Sequence, residues 1–344
     1  MGLRNIVGHE KQLNILRGYI RRARIPHAFL FAGEAGVGKR LTAVNFAKVL
    51  NCQKNIELFS DTSPRTIHND PDSCDECRSC VKADKSAHPD IFLIGPEGDG
   101  RQITVSSVRS LQESLAYRPF EGLWKVAVID DAETMNKSAA NAFLETLEEP
   151  PQQSILILVS SRPDTLLSTI RSRCHRLNFS PLPLSEMGDL LQEKIGGLDH
   201  DGSLLLGTLS GGRFGYAMNE DLLIQRGKSF SEFREMLGSS DKDVWADRES
   251  MDEWFDWSQL WLRDIAVLKA TGKKELLINQ DKESDIMDIS GKAGLRDILR
   301  LASELNRIKG ELQVNLNRQL TLNYTGILLR NVLGRGMRNI KNQK

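Results

Sequence analysis

Short apolar runs that do not alternate with polar residues divide the first half of the chain. They cover residues 28–31, 91–94, 126–129 and 155–159, with a shorter β-prone run at 176–179. Strands that are buried on both faces of a parallel sheet have this continuous apolar character. Stretches between the runs predict helices over residues 10–23, 40–50, 105–115 and 138–147. The pattern therefore predicts an α/β fold in which helices cover a parallel sheet.

From about residue 182 onward the pattern predicts helices alone. Short helices interrupted by glycine pairs are expected up to about residue 220, and longer helices beyond it. Trp254, Trp257 and Trp261 fall at i, i+3 and i+7 of one predicted helix, which indicates core packing rather than base stacking. Another amphipathic helix near the end is predicted from Leu312, Leu316, Leu320 and Ile327. The second half is therefore expected to be all-α.

A glycine-rich segment follows the first predicted strand and precedes a predicted helix. Residues 33–40 read Gly-Glu-Ala-Gly-Val-Gly-Lys-Arg, which fits the phosphate-binding loop pattern except at the last position. The residues expected to contact phosphates are Gly33, Gly36, Gly38 and Lys39. Arg40 stands where a Ser or Thr hydroxyl normally binds Mg²⁺, and arginine has no acceptor atom. The loop is thus predicted to cradle phosphate but to hold Mg²⁺ poorly, and whether it binds ATP is left open.

Two acids end the apolar run at 126–129. Asp130 is the acid expected near a metal ion, because a strand-end aspartate has this role in phosphate-loop ATPases. Asp131 occupies the position at which such ATPases usually carry the glutamate that orients water. Aspartate is one methylene shorter, so water would be poorly placed. The alternative is that both acids cap a helix starting near Glu133.

Four cysteines in one neighbourhood are candidate ligands of a structural Zn²⁺ ion. They are Cys52, Cys74, Cys77 and Cys80. Two-residue spacings let a turn present sulfurs to one tetrahedral ion, and four protein ligands leave no open position for catalysis. Reduced or redox-active thiols are the alternative, and His68 or His88 could replace Cys52. Cys174 stands apart and is expected to be a small buried residue.

Composition and charge are those of an ordinary globular protein. In 344 residues, 46 basic residues balance 46 acidic ones, so overall charge does not indicate a nucleic-acid partner. No apolar run approaches the length that spans a bilayer, and the N-terminal residues lack a signal-peptide core. We therefore expect a cytoplasmic protein without a membrane partner.

The motifs together resemble the clamp-loader ATPases of bacterial DNA polymerase III, within the AAA+ superfamily. The segments that carry the resemblance are residues 6–9, 26–31, 33–40, 141–151 and 168–174, together with the cysteines. Matching motifs are closely spaced from residue 5 to about 183, and beyond that the resemblance is only general. It implies an AAA+ phosphate-loop module over 1–181 with a zinc-binding insertion at about 52–88, a helical lid over 182–221 and a helical collar over 222–344.

Within this family the sequence resembles the delta-prime branch more than the gamma/tau branch. Gamma/tau loops normally end in Lys-Thr and their acidic strand ends in Asp-Glu, whereas this chain has Arg40 and Asp131. Gly215 stands where the gamma/tau lid carries an arginine that touches ATP, although Arg213 is close by. By the same resemblance, Val7 lines the adenine pocket, and Ser160 or Ser161 is the first sensor.

The resemblance also implies a role for Arg173, in the segment Ser172-Arg173-Cys174. Taken alone, such an arginine is an ordinary surface residue. In the family it completes the ATP site of an adjacent gamma/tau subunit, as an arginine finger acting in trans. The implied protein is a non-motor subunit of a ring with delta and gamma/tau subunits, which loads a sliding clamp onto primer-template DNA. The alternatives are an ATP-hydrolysing motor with Asp131 as base, and a purely structural zinc-bearing adaptor.

Overall fold

The computed structural model describes residues 2–55, 70–98, 101–218, 222–238, 245, 247–311 and 317–334. The chain divides into two compact units, Met1–Met218 and Asn219–Lys344. The first unit contains a sheet covered by helices, and the described part of the second unit is helical. Over the described residues, no helix combines the length and the apolar composition needed to cross a bilayer.

The first unit is built on a parallel sheet. Its strands are β1 (Ala28–Ala32), β2 (Ile91–Ile94), β3 (Lys125–Ile129), β4 (Ser154–Ser160) and β5 (His175–Asn178). The strand order is β2-β3-β4-β1-β5, and every neighbouring pair is parallel. The helices of this unit are α1 (Glu10–Arg21), α2 (Lys39–Leu50), α3 (Arg78–Asp84), α4 (Val105–Leu115), α5 (Lys137–Glu148), α6 (Ser168–Arg171), α7 (Leu184–Lys194), α8 (His200–Leu209) and α9 (Phe214–Ala217). The predicted parallel sheet is therefore confirmed.

The three central strands, β3, β4 and β1, are buried on both faces, which explains their unbroken apolar runs, whereas the edge strands β2 and β5 are partly exposed. Phe29 and Phe31 of β1 pack into one core, where Phe29 meets Phe46 of α2 edge to face at 5.7 Å between ring centroids. Leu30, between them, packs into the opposite core with Phe143 of α5. Successive strand residues point to opposite faces, so a strand covered on both sides must be apolar at every position.

The boundaries of the predicted helices shift where the backbone turns. The helix predicted over residues 10–23 ends at Arg21, because Ala23 adopts a left-handed φ of 48°. The helix predicted over residues 40–50 begins one residue earlier, at Lys39, directly after Gly38 with φ of 98°. The second shift matters for function, because it places Lys39 and Arg40 in the first turn of α2.

The second unit packs helices around a cluster of aromatic side chains. Its described helices are α10 (Leu222–Leu237), α11 (Arg248–Thr271), α12 (Glu283–Gly291), α13 (Leu295–Glu311) and α14 (Arg318–Leu333). Trp254, Trp257 and Trp261 are all buried on α11, and Trp261 packs on Phe230 of α10 at 4.6 Å between ring centroids. The prediction that these tryptophans form core rather than a base-stacking surface is confirmed.

The predicted apolar stripe near the end of the chain is wrong for its described residues. Leu320 and Ile327 are exposed on α14, while Leu312 and Leu316 lie outside the described residues. The buried face of α14 instead consists of Thr321, Leu322, Thr325, Gly326, Leu329 and Leu333. Small residues on this face let α10 and α13 pack against the helix, so its orientation follows local fit rather than the number of leucines.

A buried carboxylate fixes the segment that leads into β3. Asp90 is fully buried and accepts hydrogen bonds from the backbone N–H groups of Phe120, Glu121 and Gly122, at 2.7, 2.9 and 2.8 Å. Burial alone would raise the pKa of Asp90, but the three N–H donors outweigh it and lower that pKa. The carboxylate is therefore stable as the anion and ties the start of β2 to the approach of β3.

We predict that Asp90→Asn lowers the free energy of unfolding by about 2 kcal/mol at neutral pH, because an amide cannot accept all three hydrogen bonds. The pKa of Asp90 is lowered on folding, so its contribution is present above the unfolded pKa of about 4 and is lost as pH falls through the folded pKa. Urea titrations of the wild type and Asp90→Asn at neutral and acidic pH should show that the difference between their free energies of unfolding is smaller in acid. The exposed Asp189→Asn serves as control, and equal stability of Asp90→Asn and wild type at neutral pH would contradict the prediction.

Candidate phosphate-binding site and cysteine cluster

The glycine-rich loop joins the carboxyl end of β1 to the start of α2. In parallel α/β sheets, ligands bind at this edge. Gly33 has φ of 156°, and a Cβ atom there would lie 2.2 Å from the carbonyl oxygen of Phe179. Only glycine fits this contact. Gly36 and Gly38 also have positive φ, of 81° and 98°, so the chain turns sharply enough to bring the loop back to the first turn of α2.

Lys39 is buried at the base of the loop. Its Nζ donates to the carbonyl oxygens of Gly33 and Glu34, both at 2.6 Å. Burial lowers the pKa of Lys39, and the negative charges of Glu133, Asp131 and Asp130 oppose that effect. The amine is therefore held against the loop backbone beside the N-terminus of α2, where the helix dipole and Lys39 both favour an anion.

A cavity of about 490 Å³ opens beside the loop. The predicted nucleotide-binding residues that line it are Val7, Gly36, Gly38, Lys39, Arg40, Asp130 and Asp131. Gly33 and Ser160, also predicted, lie outside the lining, and the N–H of Gly33 donates to the carbonyl of Ser160 at 3.2 Å. Apolar residues complete much of the wall, among them Ile6, Leu190 and Phe214. The cavity lining thus combines charged side chains of both signs with apolar residues.

The strand-end acids lie beside Arg40. One guanidinium nitrogen, Nη1 of Arg40, is 3.4 Å from Oδ2 of Asp130. Burial and the adjacent Asp131 raise the pKa of Asp130, while Arg40 opposes them. The helix-cap alternative is not supported, because the Asp131 side chain makes no cap hydrogen bond and the following turn, Ala132–Thr134, is a short 3₁₀ turn. The acids face the cavity instead.

Sequence reasoning missed Glu133 as a site residue, whereas His9 belongs to the segment 6–9 that the resemblance places at the adenine pocket. Contacts across the site fix both side chains. Glu133 Oε1 accepts from the backbone N–H of Ser161 at 3.0 Å and from its hydroxyl at 2.5 Å. The predicted first-sensor residue Ser160 is buried, and its hydroxyl accepts from the N–H of Arg162 at 3.2 Å. His9 lines the cavity and its Nε2 lies 2.7 Å from the carbonyl oxygen of Val37. No local pattern signals these long-range contacts.

The helix α9 packs its backbone directly on the loop. The N–H of Gly215 donates to the carbonyl of Gly36 at 2.8 Å, and a Cβ atom at 215 would lie 3.1 Å from that oxygen. A larger residue at 215 would press on the loop. Arg213 does not line the cavity, because its guanidinium stacks on the Tyr216 ring at 4.7 Å and donates to the carbonyl of Ser210. Lys194 of α7, by contrast, does line the cavity and contributes a positive charge to it.

Arg173 lies outside the cavity, between α6 and β5. Its Nη1 donates to the carbonyl of Thr169 at 3.0 Å, and its Nη2 lies 2.7 Å from Oε1 of Glu148 at the end of α5. The side chain is 37% exposed. The guanidinium is therefore held on the surface of the first unit by two contacts and does not reach its own loop.

The four predicted cysteines come together. All their sulfur atoms lie within 4.8 Å of one another, and Sγ of Cys74 is 3.9 Å from Sγ of Cys80. A tetrahedral zinc ion with Zn–S bonds of about 2.3 Å separates its sulfurs by about 3.8 Å. Backbone N–H groups also point at three of the sulfurs, Cys52, Cys74 and Cys77, at 3.4 Å each. The donor set and its spacing therefore fit a metal ion.

His88 is not part of this cluster. Its Nε2 is 2.9 Å from Oγ of Ser79, which itself donates to the carbonyl of Asn51, and its Nδ1 accepts from the N–H of Asp90. Both ring nitrogens are thus occupied. His68, the other alternative ligand, lies outside the described residues. Cys174 stands apart as predicted, but it is half-buried rather than fully buried, and burial raises the pKa of its thiol to about 12.

Comparison with known proteins gives the family. The family model described as "DNA polymerase III, delta subunit" matches residues 8–183. The chain is 32% identical over 182 residues to the DNA polymerase III subunit delta' of Bacillus subtilis, covering 53% of this chain and 50% of that protein. It is 38% identical over 162 residues to the delta' subunit of Pseudomonas aeruginosa, covering 47% and 45%. It is 31% identical over 176 residues to the tau subunit of Bacillus subtilis, covering 51% and 28%.

These alignments span about half the length of each delta' relative and about a quarter of the tau subunit. The matched segment contains the parallel sheet, the glycine-rich loop, the cysteine cluster and Arg173. The chain belongs to the DNA polymerase III delta subunit family.

Proposed function

We propose that the chain is a non-motor subunit of the DNA polymerase III clamp loader, an AAA+ ring that loads a sliding clamp onto primed DNA. Its partners would be gamma/tau and delta subunits, the clamp and, through the assembled complex, primer-template DNA. Family membership and the delta' relatives support this proposal. The observation that carries the mechanism is the exposed guanidinium of Arg173, held away from its own loop.

Arg173 is placed to serve a neighbouring nucleotide. Its present partner, Glu148, is an exposed carboxylate, and ion pairs of this kind contribute about 1 kcal/mol or less. A triphosphate carries several negative charges and would compete effectively for the guanidinium. An arginine supplied in this way neutralises charge on the transferring phosphoryl group, and such groups accelerate hydrolysis greatly. The hydrogen bond to Thr169 would keep the side chain oriented toward the subunit boundary.

The chain's own site lacks the parts that hydrolysis needs. Arg40 supplies no oxygen for Mg²⁺, and Asp131 is shorter than the glutamate that orients water in motor ATPases. Gly215 has no side chain that could contact a nucleotide, and a Cβ atom there would lie only 3.1 Å from the carbonyl oxygen of Gly36, so a lid arginine at that position would require the loop to shift. These features favour the helper role over the motor alternative. The loop would still accept ATP, with Lys39 on the phosphates and Val7 beside the base.

The domain assignment is part of the same proposal. The AAA+ module would cover residues 1–181, the helical lid 182–221 and the collar 222–344. In this arrangement the collar would assemble the ring, and the module would present Arg173. A purely structural adaptor would also need a collar, but it would have no use for an arginine held at the module surface.

We further propose that the cysteine cluster binds one structural Zn²⁺ ion. Four sulfurs within 4.8 Å of one another, with N–H donors to three of them, support this assignment. The ion would fold the insertion that follows α2. Lys48 of α2 is buried and binds Asp84 of α3 at 2.6 Å, so the insertion is also tied to the sheet module by charge.

The trans-acting role predicts a specific loss on mutation. In a complex of this chain with gamma/tau, delta, clamp and primed DNA, Arg173→Ala should abolish ATP hydrolysis at the one gamma/tau site that Arg173 completes. If three motor sites work independently, total ATP turnover falls by about a third, and it falls further if the sites are coupled. The measurement is steady-state phosphate release, with assembly checked by size-exclusion chromatography.

Arg171→Ala is the matched control, because Arg171 lies two residues earlier and pairs with Asp164 of its own chain at 3.0 Å. Its complex should keep full turnover. Full turnover by an assembled Arg173→Ala complex would contradict the proposal. Turnover by the isolated wild-type chain would favour the motor alternative instead.

The zinc assignment predicts about one zinc ion per chain in elemental analysis of purified protein. Cys77→Ser should lower this content and loosen the insertion first, because a structural metal contributes directly to local folding. Hydrogen exchange of residues 70–85 reports that loosening. Cys174→Ser is the control and should change neither quantity. A zinc content below about a tenth of an ion per wild-type chain would exclude the four-thiolate site.

A further inference from the structure

The ion pair between Arg40 and Asp130 occupies the place of a metal ion. In phosphate-loop enzymes Mg²⁺ is bound by the hydroxyl that follows the loop lysine and by an acid at the end of a neighbouring strand. Here the first of these positions is Arg40 and the second is Asp130, and their charged groups are 3.4 Å apart. The acid that would bind the metal is therefore paired with the arginine that stands in place of the metal-binding hydroxyl.

The residues present do not fit Mg²⁺. A guanidinium has five donors and no acceptor, so it cannot ligate a cation, and a dication beside it would be repelled. Asp130 is only 19% exposed, which strengthens its attraction to Arg40 relative to a solvated pair. Asp131 supplies a second carboxylate, but a Mg²⁺ ion held there would still lie near the guanidinium of Arg40.

The same residues do fit the phosphates of a nucleotide. The buried amine of Lys39, the N-terminus of α2 and the loop glycines favour an anion at the loop, and Arg40 offsets part of the negative charge of Asp130 and Asp131 in the same lining. The Arg40 side chain is 58% exposed, so its outward-facing donors can contact phosphate oxygens while one donor faces Asp130. Apolar lining residues, among them Ile6, Leu190 and Phe214, suit a base.

We infer that the Gly33 loop binds a nucleoside triphosphate without Mg²⁺, with the Arg40 guanidinium in the position and charge role of the metal. The inference rests on the nucleotide site within the proposed function, and it does not depend on Arg173. It separates binding from hydrolysis. The nucleotide is held by fixed positive charge, and neither a metal nor a well-placed water supports attack on it. Bound nucleotide then acts as a structural ligand of the loop and of α9, which already meet at the hydrogen bond between Gly215 and Gly36.

The test is the dissociation constant of ATP for the full-length chain, measured calorimetrically with and without Mg²⁺. Divalent cations are removed from the buffer with a chelating resin, since a soluble chelator would also remove a metal ion bound by the cysteine cluster. The wild-type constant should differ by no more than about threefold between the two buffers. Arg40→Thr restores the hydroxyl, and this variant should bind ATP at least about tenfold more tightly with Mg²⁺ than without it.

Two further variants isolate the role of the charge. Arg40→Gln removes the cation without supplying a metal ligand, so it should weaken binding by about tenfold in both buffers. Arg24→Gln removes an exposed arginine that does not line the cavity, and it should bind ATP like the wild type. Thermal melts confirm that each variant is folded.

Three results would overturn the inference. They are wild-type binding that requires Mg²⁺, no ATP binding in either buffer, and a folded Arg40→Thr variant that remains indifferent to Mg²⁺. None of them bears on turnover in the Arg173→Ala complex, so failure here is distinguishable from failure of the trans-acting role.

Discussion

The contact between Arg40 and Asp130 determines what this α/β fold can do with a phosphate. The sheet brings the end of β3 and the start of α2 to one edge, where a motor ATPase would collect the ligands of a metal ion. Here the same geometry brings together a cation and an anion, 3.4 Å apart. The site keeps its attraction for phosphate, because Lys39 and the helix dipole remain. In the proposed role it would hold phosphate without activating water.

In the proposed function, two arginines would act at two different surfaces. Arg40 faces the cavity of its own chain, and Arg173 lies outside that cavity at the end of α6. Arg173 is held by elements of a rigid sheet module, because α5 packs against the sheet core and carries Glu148 at its end. A fixed backbone with a weakly bound side chain suits a group that must meet a ligand on another subunit. The exposed Glu148 would then act as a resting partner that is exchanged for phosphate on assembly.

Much of this arrangement follows from local sequence. The central strands are predictable because burial on both faces favours a continuous apolar run. The cysteine cluster is predictable because close spacing already places three sulfurs on one turn. Contacts between distant residues leave no such pattern. Glu133 meets Ser161 across neighbouring strands, and Glu148 meets Arg173 through the packing of α5 and α6. On α14, the fit of small residues outweighs leucine periodicity, so Leu320 points outward.

The proposed function requires Arg173 to leave its own chain's carboxylate for a triphosphate on a neighbour. The most direct measurement is a structure of this chain assembled beside a gamma/tau subunit that holds a non-hydrolysable ATP analogue. We expect the guanidinium of Arg173 to lie within hydrogen-bond distance of the neighbour's γ-phosphate, with the Glu148 contact broken. An assembled pair in which Arg173 still binds Glu148, while another side chain contacts that phosphate, would contradict it.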